Sequence, residues 1–270
     1  MENQRIYNNL SGFIEDKLTH GYYYFTFEDV KKCFDSSVEA IKMALLRHSG
    51  KGRIHSVHKG FYVIIPPEYS SMGMLPTVMF INDLMNYLNR PYYIGLLSAA
   101  VLHGAAHQKP QESFVITTGL SLRPTVAKGI KVNYSIKSQF PQSGIIEKKS
   151  VTGYFKVSGP ELTAIDLIRF EKQIGGLSRA ATVLAELSEV INNSILKKIA
   201  LEYSSIASIQ RLGYIMDKII QQSRLADSLQ KALKGKKLFR VPLKASGKKA
   251  GFAVDSRWNI IINTQIASDI

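Results

Sequence analysis

The sequence contains one cysteine, few acidic residues and no long apolar run. Because Cys33 has no second cysteine to pair with, an intramolecular disulfide and a cysteine-built metal site are excluded. The longest apolar candidate, near residues 92–106, is too short to cross a bilayer and contains His103. The start of the chain, MENQRIYNN, lacks the basic-then-apolar order of a secretory signal. These absences predict a soluble, cytoplasmic protein that does not contact a membrane.

Several enzyme signatures are also missing from the sequence. It has no Asp-x-Asp pair for two metal ions, no Walker-type loop, no Gly-x-Gly-x-x-Gly fingerprint and no Gly-x-Ser-x-Gly elbow. We therefore expect neither catalytic activity nor a cofactor. One alternative remains open: His103 and His107 are four residues apart and could share a helical face as metal ligands in an enzyme acting on nucleic acid.

The deficit of acidic residues leaves the chain strongly basic. Its 35 Lys and Arg residues against 21 Asp and Glu residues give a formal net charge of +14, which favours a polyanionic partner such as nucleic acid. No carboxylate occurs between Glu39 and Glu68, in residues 123–137 or in residues 231–249. The last of these runs is a candidate second nucleic-acid patch. Its predicted contacts are Lys236, Lys237, Arg240, Lys244 and Lys248.

The acid-free segment after Glu39 has the pattern of a helix followed by a hairpin. Ser36 and Glu39 have the spacing of a capping box, so a helix is predicted to begin near Ser37. Its predicted apolar face consists of Val38, Ile41, Ala44 and Leu45. Two strand-like runs follow at residues 53–57 and 61–65, and Gly60 is expected to adopt a positive φ between them.

A short helix capped by Thr26 precedes this segment, so the pattern predicts a winged helix-turn-helix in residues 1–68. A first helix is predicted over residues 3–18. A helix in the major groove reads base edges, and basic residues of a wing contact phosphates. The predicted base-reading residues are Ser37, Lys42 and Arg47. The predicted phosphate contacts are Lys51, Arg53, His58 and Lys59.

Prolines at positions 66, 67 and 76 mark a predicted boundary, after which residues 69–270 form a larger domain. A buried helix is predicted over residues 93–103. Strand-like runs at residues 114–118, 130–136, 145–148 and 154–157 predict one small antiparallel sheet, and helical patterns dominate residues 160–233. The fold class is therefore predicted as α+β, with the winged unit followed by a small sheet and a helical bundle.

Six segments together resemble a known family. They are KGRIHSVHKGFYVI, YYIGLLSAAVLHGAAHQ, QESFVITT, GPELTAIDLIRF, GGLSRAATVLAEL and QRLGYIMD. In this order they are similar to the AbiEi-type antitoxins of abortive-infection, type IV toxin-antitoxin systems, which act in phage defence. The histidines of the first segment depart from the family, which more often has arginine there.

The resemblance implies an antitoxin that is also a transcriptional autorepressor. Its partners would be operator DNA, with inverted repeats, and a cognate nucleotidyltransferase-like toxin that it opposes through its C-terminal domain without requiring a stable complex. The resemblance implies no catalytic residue. Two alternatives stay open: the metal-dependent enzyme named above, and a plain winged-helix transcription factor without a toxin partner.

Overall fold

The computed structural model describes residues 6–105, 112–127 and 130–267 of the 270-residue chain. It combines helices with several sheets, so the predicted α+β class is confirmed. In this part of the chain, no helix has both the length and the apolar character needed to cross a membrane.

The chain divides into two compact units, each built from more than one stretch of sequence. The first comprises Met1–Tyr92, Gln111–Lys137 and Glu147–Lys156, and the second comprises Tyr93–Pro110, Ser138–Ile146 and Val157–Ile270. The predicted boundary between residues 68 and 69 therefore falls inside the first unit. Prolines mark a local break in regular structure. They do not indicate that later segments, here residues 111–137 and 147–156, pack in the first unit again.

The first unit begins with three helices and three strands that share one core. In order they are α1 (Leu10–Thr19), β1 (Tyr24–Thr26), α2 (Phe27–Cys33), α3 (Val38–Gly50), β2 (Ile54–His58) and β3 (Phe61–Ile64). The strands form an antiparallel sheet in the order β1-β3-β2. The core that the helices and strands enclose contains Leu10, Phe13, Ile14, Phe25, Val30, Ile41, Leu45, Ile54 and Ile64.

Helix α1 is shorter than the predicted helix over residues 3–18. It begins at Leu10 because the Asn9 side chain accepts a hydrogen bond from Gly12 N at 2.9 Å and so caps the helix. Ile6, which lies within the predicted helix, precedes α1 and is 68% exposed. Residues 3–5 lie outside the described part of the chain.

Thr26 caps helix α2, as the sequence predicts, and Asp29 completes a capping box. The backbone N–H of Asp29 donates to Thr26 Oγ1 at 3.1 Å, and the Asp29 carboxylate accepts from Thr26 N at 2.7 Å. These reciprocal bonds satisfy backbone donors at the helix start. The start of α2 is thus determined locally.

The chain continues with short elements that build a larger sheet. They are α4 (Ile81–Tyr87), β4 (Tyr92–Ile94), α5 (Leu96–Leu102), β5 (Glu112–Thr117), β6 (Thr125–Ala127), β7 (Ile130–Ile136), β8 (Ile145–Ser150) and β9 (Gly153–Ser158), with 3₁₀ turns at Pro67–Tyr69 and Thr77–Met79. The sheet has six strands in the order β6-β7-β5-β4-β9-β8. Arg90 supports one end of it, since its guanidinium donates to the carbonyl oxygen of Leu120 at 2.5 Å.

The predicted antiparallel arrangement of this sheet is wrong. Strand β5 pairs with β7 in parallel, and β4 pairs with β9 in parallel at Ile94 and Val157. The short strand β6, which was not predicted, lies between β5 and β7 in the sequence and pairs antiparallel with β7. The chain therefore reverses direction twice after β5, and β7 runs in the same direction as β5. The predicted helix over residues 93–103 is likewise divided into β4 and α5, because a short apolar run does not distinguish a buried strand from a buried helix.

The second unit is mainly helical and ends in a small sheet. Besides α5, its elements are α6 (Pro160–Arg169), α7 (Leu177–Leu187), α8 (Asn193–Tyr203), α9 (Ile206–Tyr214), α10 (Ser223–Leu233), β10 (Val241–Pro242), β11 (Val254–Asp255) and β12 (Ile260–Ile261), with a 3₁₀ turn at Glu171–Gln173 and a π-helical turn at Ile215–Ile219. Helix α6 packs against α7, α8 and α9, and α10 packs against α8 and α9. The sheet has the order β10-β12-β11.

Candidate nucleic-acid interface

Helix α3 begins where the sequence predicts, but its cap is different. The side chain of Ser37, rather than Ser36, accepts a hydrogen bond from Ala40 N at 3.2 Å. The predicted capping box of Ser36 with Glu39 is therefore wrong by one residue. Ser37 is exposed and keeps its own hydroxyl proton, so it can cap the helix and still donate to a ligand.

The two faces of α3 differ in character. Ile41 and Leu45 are buried in the core, whereas Lys42 and Arg47 are exposed, as predicted. Val38 was predicted to lie in the core, but it is 37% exposed because it belongs to the first turn of the helix. The side chains of Lys42 and Arg47 are available for contact with a ligand along one side of the helix.

Two apolar residues share the exposed face of α3. Met43 is 57% exposed and Leu46 is 66% exposed, and both lie beside the two cations at helical spacing. Leu46 was missed, although its position four residues after Lys42 could have placed it on the same face. Apolar side chains on a reading helix can contact thymine methyl groups.

The hairpin of β2 and β3 presents Lys59 at its turn. Lys59 is exposed, and Gly60 has a φ of 78°, which confirms the predicted positive φ. His58 is half-buried, and its Nδ1 lies 3.3 Å from the carbonyl oxygen of Lys59. Lys51 is also exposed and follows directly after α3. Lys51 and Lys59 are thus accessible, and His58 is partly so.

Arg53 differs from the other predicted phosphate contacts because its guanidinium is already engaged. Its Nη2 lies 3.3 Å from Glu15 Oε1, and its Nη1 donates to Ser11 Oγ at 3.4 Å. Both partners belong to α1. Within the described residues, Lys42, Arg47, Lys51 and Lys59 form no ion pair with a carboxylate, so they can neutralise phosphates without first losing a partner.

Two histidines of this region contribute little positive charge at neutral pH. Burial lowers the pKa of His55, and burial together with the nearby Arg53 lowers the pKa of His48. Each ring therefore carries less positive charge at pH 7 than an unperturbed histidine. The cationic character of the surface comes from lysine and arginine.

Gly60→Val is expected to disrupt the hairpin. A β-branched residue resists a φ of 78°, and a Cβ at this position would lie 2.7 Å from the hydroxyl oxygen of Tyr87. We expect a lower melting temperature and weaker DNA binding, measured by thermal denaturation and gel shift. Gly52→Val serves as the control, because Gly52 also has a positive φ but nothing lies within 4 Å of its Cβ position. Equal behaviour of the two variants would show that contact with Tyr87 is unimportant.

The residues of the second predicted patch flank the short strand β10 in sequence. Lys236, Lys237, Arg240, Lys244 and Lys248 are all exposed. Lys236, Lys237 and Arg240 precede β10, and Lys244 and Lys248 follow it. Asn263 Nδ2 donates to the carbonyl oxygens of Lys244 and Lys248, each at 3.0 Å, and holds those two residues together.

The histidine pair proposed as metal ligands is only partly described. His103 is half-buried, and its Nε2 lies 2.7 Å from the carbonyl oxygen of Ser158, while His107 lies outside the described residues. In residues 6–105, 112–127 and 130–267, no cluster of three or more His, Cys, Asp or Glu side chains is placed to hold a metal ion.

A buried polar contact links two of the six segments that carry the family resemblance. Tyr93 donates from its hydroxyl to Asp166 Oδ2 at 2.6 Å, and both residues are buried. Burial first, and the adjacent Asp166 second, raise the pKa of Tyr93, so it remains a donor. Asp166 thereby connects α6 to β4.

The segment QRLGYIMD holds the end of the chain in place. Gln210 donates to the carbonyl oxygen of Trp258 at 2.6 Å, and Arg211 donates to that of Pro242 at 2.9 Å. Asp217 accepts from Trp258 Nε1 at 3.0 Å and from Arg257 at 3.1 Å. Hydrogen bonds from Trp258 and Lys218, together with the charges of Arg257 and Lys218, outweigh its partial burial and lower the pKa of Asp217. The segment is therefore structural.

Comparison with known proteins identifies the family of the central region. The family model described as the AbiEi antitoxin C-terminal domain matches residues 93–218. No curated protein matches the sequence. A crystal structure of the RV2827C protein from Mycobacterium tuberculosis has a similar fold, with a TM-score of 0.66 at 13% identity over 96% of this chain and 92% of that one. Residues 93–218 thus carry the AbiEi antitoxin C-terminal domain, and the predicted resemblance to the AbiEi-type antitoxins is confirmed.

Proposed function

We propose that this antitoxin is also a winged helix-turn-helix repressor that binds the operator of its own operon. Helices α2 and α3 would form the helix-turn-helix, and β2 and β3 the wing. The observation that supports this most is the unpaired cationic face of α3 beside an accessible lysine in the hairpin turn. Lys42, Arg47 and Lys59 are exposed and lie in a segment without carboxylates.

In this proposal, α3 enters the major groove and reads base edges with Ser37, Lys42 and Arg47. Lys51, His58 and Lys59 contact phosphates, and Arg53 joins them by exchanging Glu15 for a phosphate. The operator contains inverted repeats, because two copies of a winged helix read two half-sites related by symmetry. DNA reading is assigned to residues 1–68.

The antitoxin activity is assigned to residues 69–270, which include the matched domain. We infer that it opposes a nucleotidyltransferase-like toxin encoded beside it, in the cytoplasm and in the context of phage defence. A stable complex with the toxin is not required. Lys236, Lys237, Arg240, Lys244 and Lys248 are accessible and could supply a second nucleic-acid contact for this part of the chain.

Two measurements test the proposal. Purified protein should shift DNA from upstream of its own operon at concentrations that leave a scrambled fragment unbound, and it should repress a reporter driven by that DNA. Cells that express the neighbouring toxin should grow when the full chain is co-expressed. Binding without rescue would favour the plain transcription factor, and rescue without binding would remove the repressor assignment.

A further inference from the structure

The wing of this antitoxin contains a bulge. Strand β2 pairs Ser56 with Tyr62 and then His58 with Phe61, so the register shifts and Val57 has no partner on β3. A bulged residue leaves a backbone group outside the ladder. Here the carbonyl oxygen of Val57 accepts a hydrogen bond from Thr125 Oγ1 at 3.1 Å. The bulge therefore gives the wing an attachment point for a residue far away in sequence.

Thr125 is fixed in turn. It is 8% exposed, begins β6 and pairs with Val132 of β7. Its Oγ1 lies 3.2 Å from the hydroxyl oxygen of Tyr134. Since a hydroxyl has one proton and that of Thr125 goes to Val57, Tyr134 is the donor in this second bond. The chain Tyr134 to Thr125 to Val57 thus connects the wing with β6 and β7, all within the first compact unit.

A second side chain holds the turn of the wing. Tyr87, at the end of α4, donates from its hydroxyl to the carbonyl oxygen of Lys59 at 3.2 Å. Its ring lies 5.4 Å from that of Phe61 and 6.5 Å from that of His58, measured between centroids. Tyr87 therefore covers the turn from which the Lys59 side chain projects.

We propose that Thr125 and Tyr87 are positioning residues for DNA binding, which hold the wing so that Lys59 and α3 reach the same duplex. The two carbonyl groups that they bind flank His58 on either side. Both residues lie outside residues 1–68, so the wing depends on a part of the chain that was assigned to the other domain. This inference rests on the proposed function.

The first test requires no DNA. Thr125→Val and Tyr87→Phe each remove one hydroxyl group and nearly preserve shape. We expect the double variant to speed backbone amide hydrogen exchange at residues 57–61 at least several-fold, while exchange in α3 is unchanged. Thr117→Val and Tyr92→Phe are matched controls. Their hydroxyls contact Pro91 O and Asn82 Oδ1 in the same unit, so exchange in the wing should not change.

The second test measures DNA binding as a function of salt. Lys59→Ala should reduce the salt slope for upstream DNA by about 1, as expected for one lost phosphate contact. In the Thr125→Val, Tyr87→Phe double variant, the salt slope should already be lower than that of the wild type by about 1. Adding Lys59→Ala to this double variant should reduce the affinity for DNA by no more than about twofold. This coupling is specific to positioning, since general destabilisation would leave the effect of Lys59→Ala unchanged.

The outcomes separate the inference from the function on which it rests. Unaltered exchange in the wing, or an equal cost of Lys59→Ala in both backgrounds, would overturn the positioning role while DNA binding stands. Failure of the wild-type chain to bind upstream DNA would remove the proposed function and the inference with it. If the double variant does not fold, Tyr87→Phe alone carries both tests, because Tyr87 is 43% exposed and its substitution opens no core.

Discussion

Replacing Lys42 and Arg47 together by alanine is expected to abolish sequence-specific binding while the fold stays intact. Both side chains are exposed on α3, and the core residues Ile41 and Leu45 point the other way. A good bidentate base contact contributes about 1 to 3 kcal/mol of discrimination. Losing two such contacts would lower specific affinity by roughly one and a half to four orders of magnitude.

The measurement is a titration of upstream DNA against a scrambled fragment, at one fixed salt concentration. Lys197→Ala with Lys198→Ala is the matched control, since these exposed lysines of α8 lie in the second unit. Each double variant has a formal net charge of +12 instead of +14. A general charge effect would therefore weaken the DNA binding of both variants equally. Undiminished specific affinity in the Lys42, Arg47 variant would exclude α3 as the reading helix.

Gly213→Ala is expected to destabilise the second unit severely. Gly213 lies in α9 against the ring of Trp258, and a Cβ there would be 2.0 Å from Trp258 Cζ3. Trp258 is fully buried and donates to Asp217 through its Nε1. Either α9 moves or the indole leaves its site. Loss of a buried large aromatic side chain costs about 3 to 5 kcal/mol, which exceeds the small gain in helix propensity from glycine to alanine.

Tryptophan fluorescence reports directly on this site, because Trp258 is the single tryptophan of the chain. We expect a red-shifted emission maximum, a lower urea midpoint and weaker protection from the toxin. Gly12→Ala provides the control, since it is also helical but its Cβ would meet only Asn9 Oδ1 at 3.7 Å. A wild-type emission maximum and midpoint would mean that Trp258 can shift at little cost.

Features that depend on neighbouring residues were predictable from the sequence. The cap of α2 at Thr26, the beginning of α3 near Ser37 and the positive φ of Gly60 each involve groups within a few residues of one another. The buried face of α3 follows from helical spacing, with Val38 as the exception at the first turn. The family resemblance over residues 93–218 was also carried by sequence alone and is confirmed.

Pairing between distant segments was not predictable. The parallel pairing of β5 with β7 depends on β6, a strand of three residues that carries almost no periodic signal. Arg53 was predicted to face phosphates because its charge was visible in the sequence, while its partner Glu15 lies 38 residues earlier. The hydroxyl of Tyr93 donates to Asp166 from 73 residues away, a contact that residue spacing does not predict.

The sequence by itself determined the basic character of the chain, the local starts of its helices and its kinship with AbiEi antitoxins, because these properties depend on composition and short-range order. The tertiary structure alone decided which polar side chains bind other residues of the chain and which are free to contact a ligand. The fold pairs Arg53 with Glu15 of α1, and it places Thr125 within hydrogen-bond distance of the carbonyl of Val57, 68 residues away. Such contacts depend on how distant segments pack, and residue spacing carries no record of them.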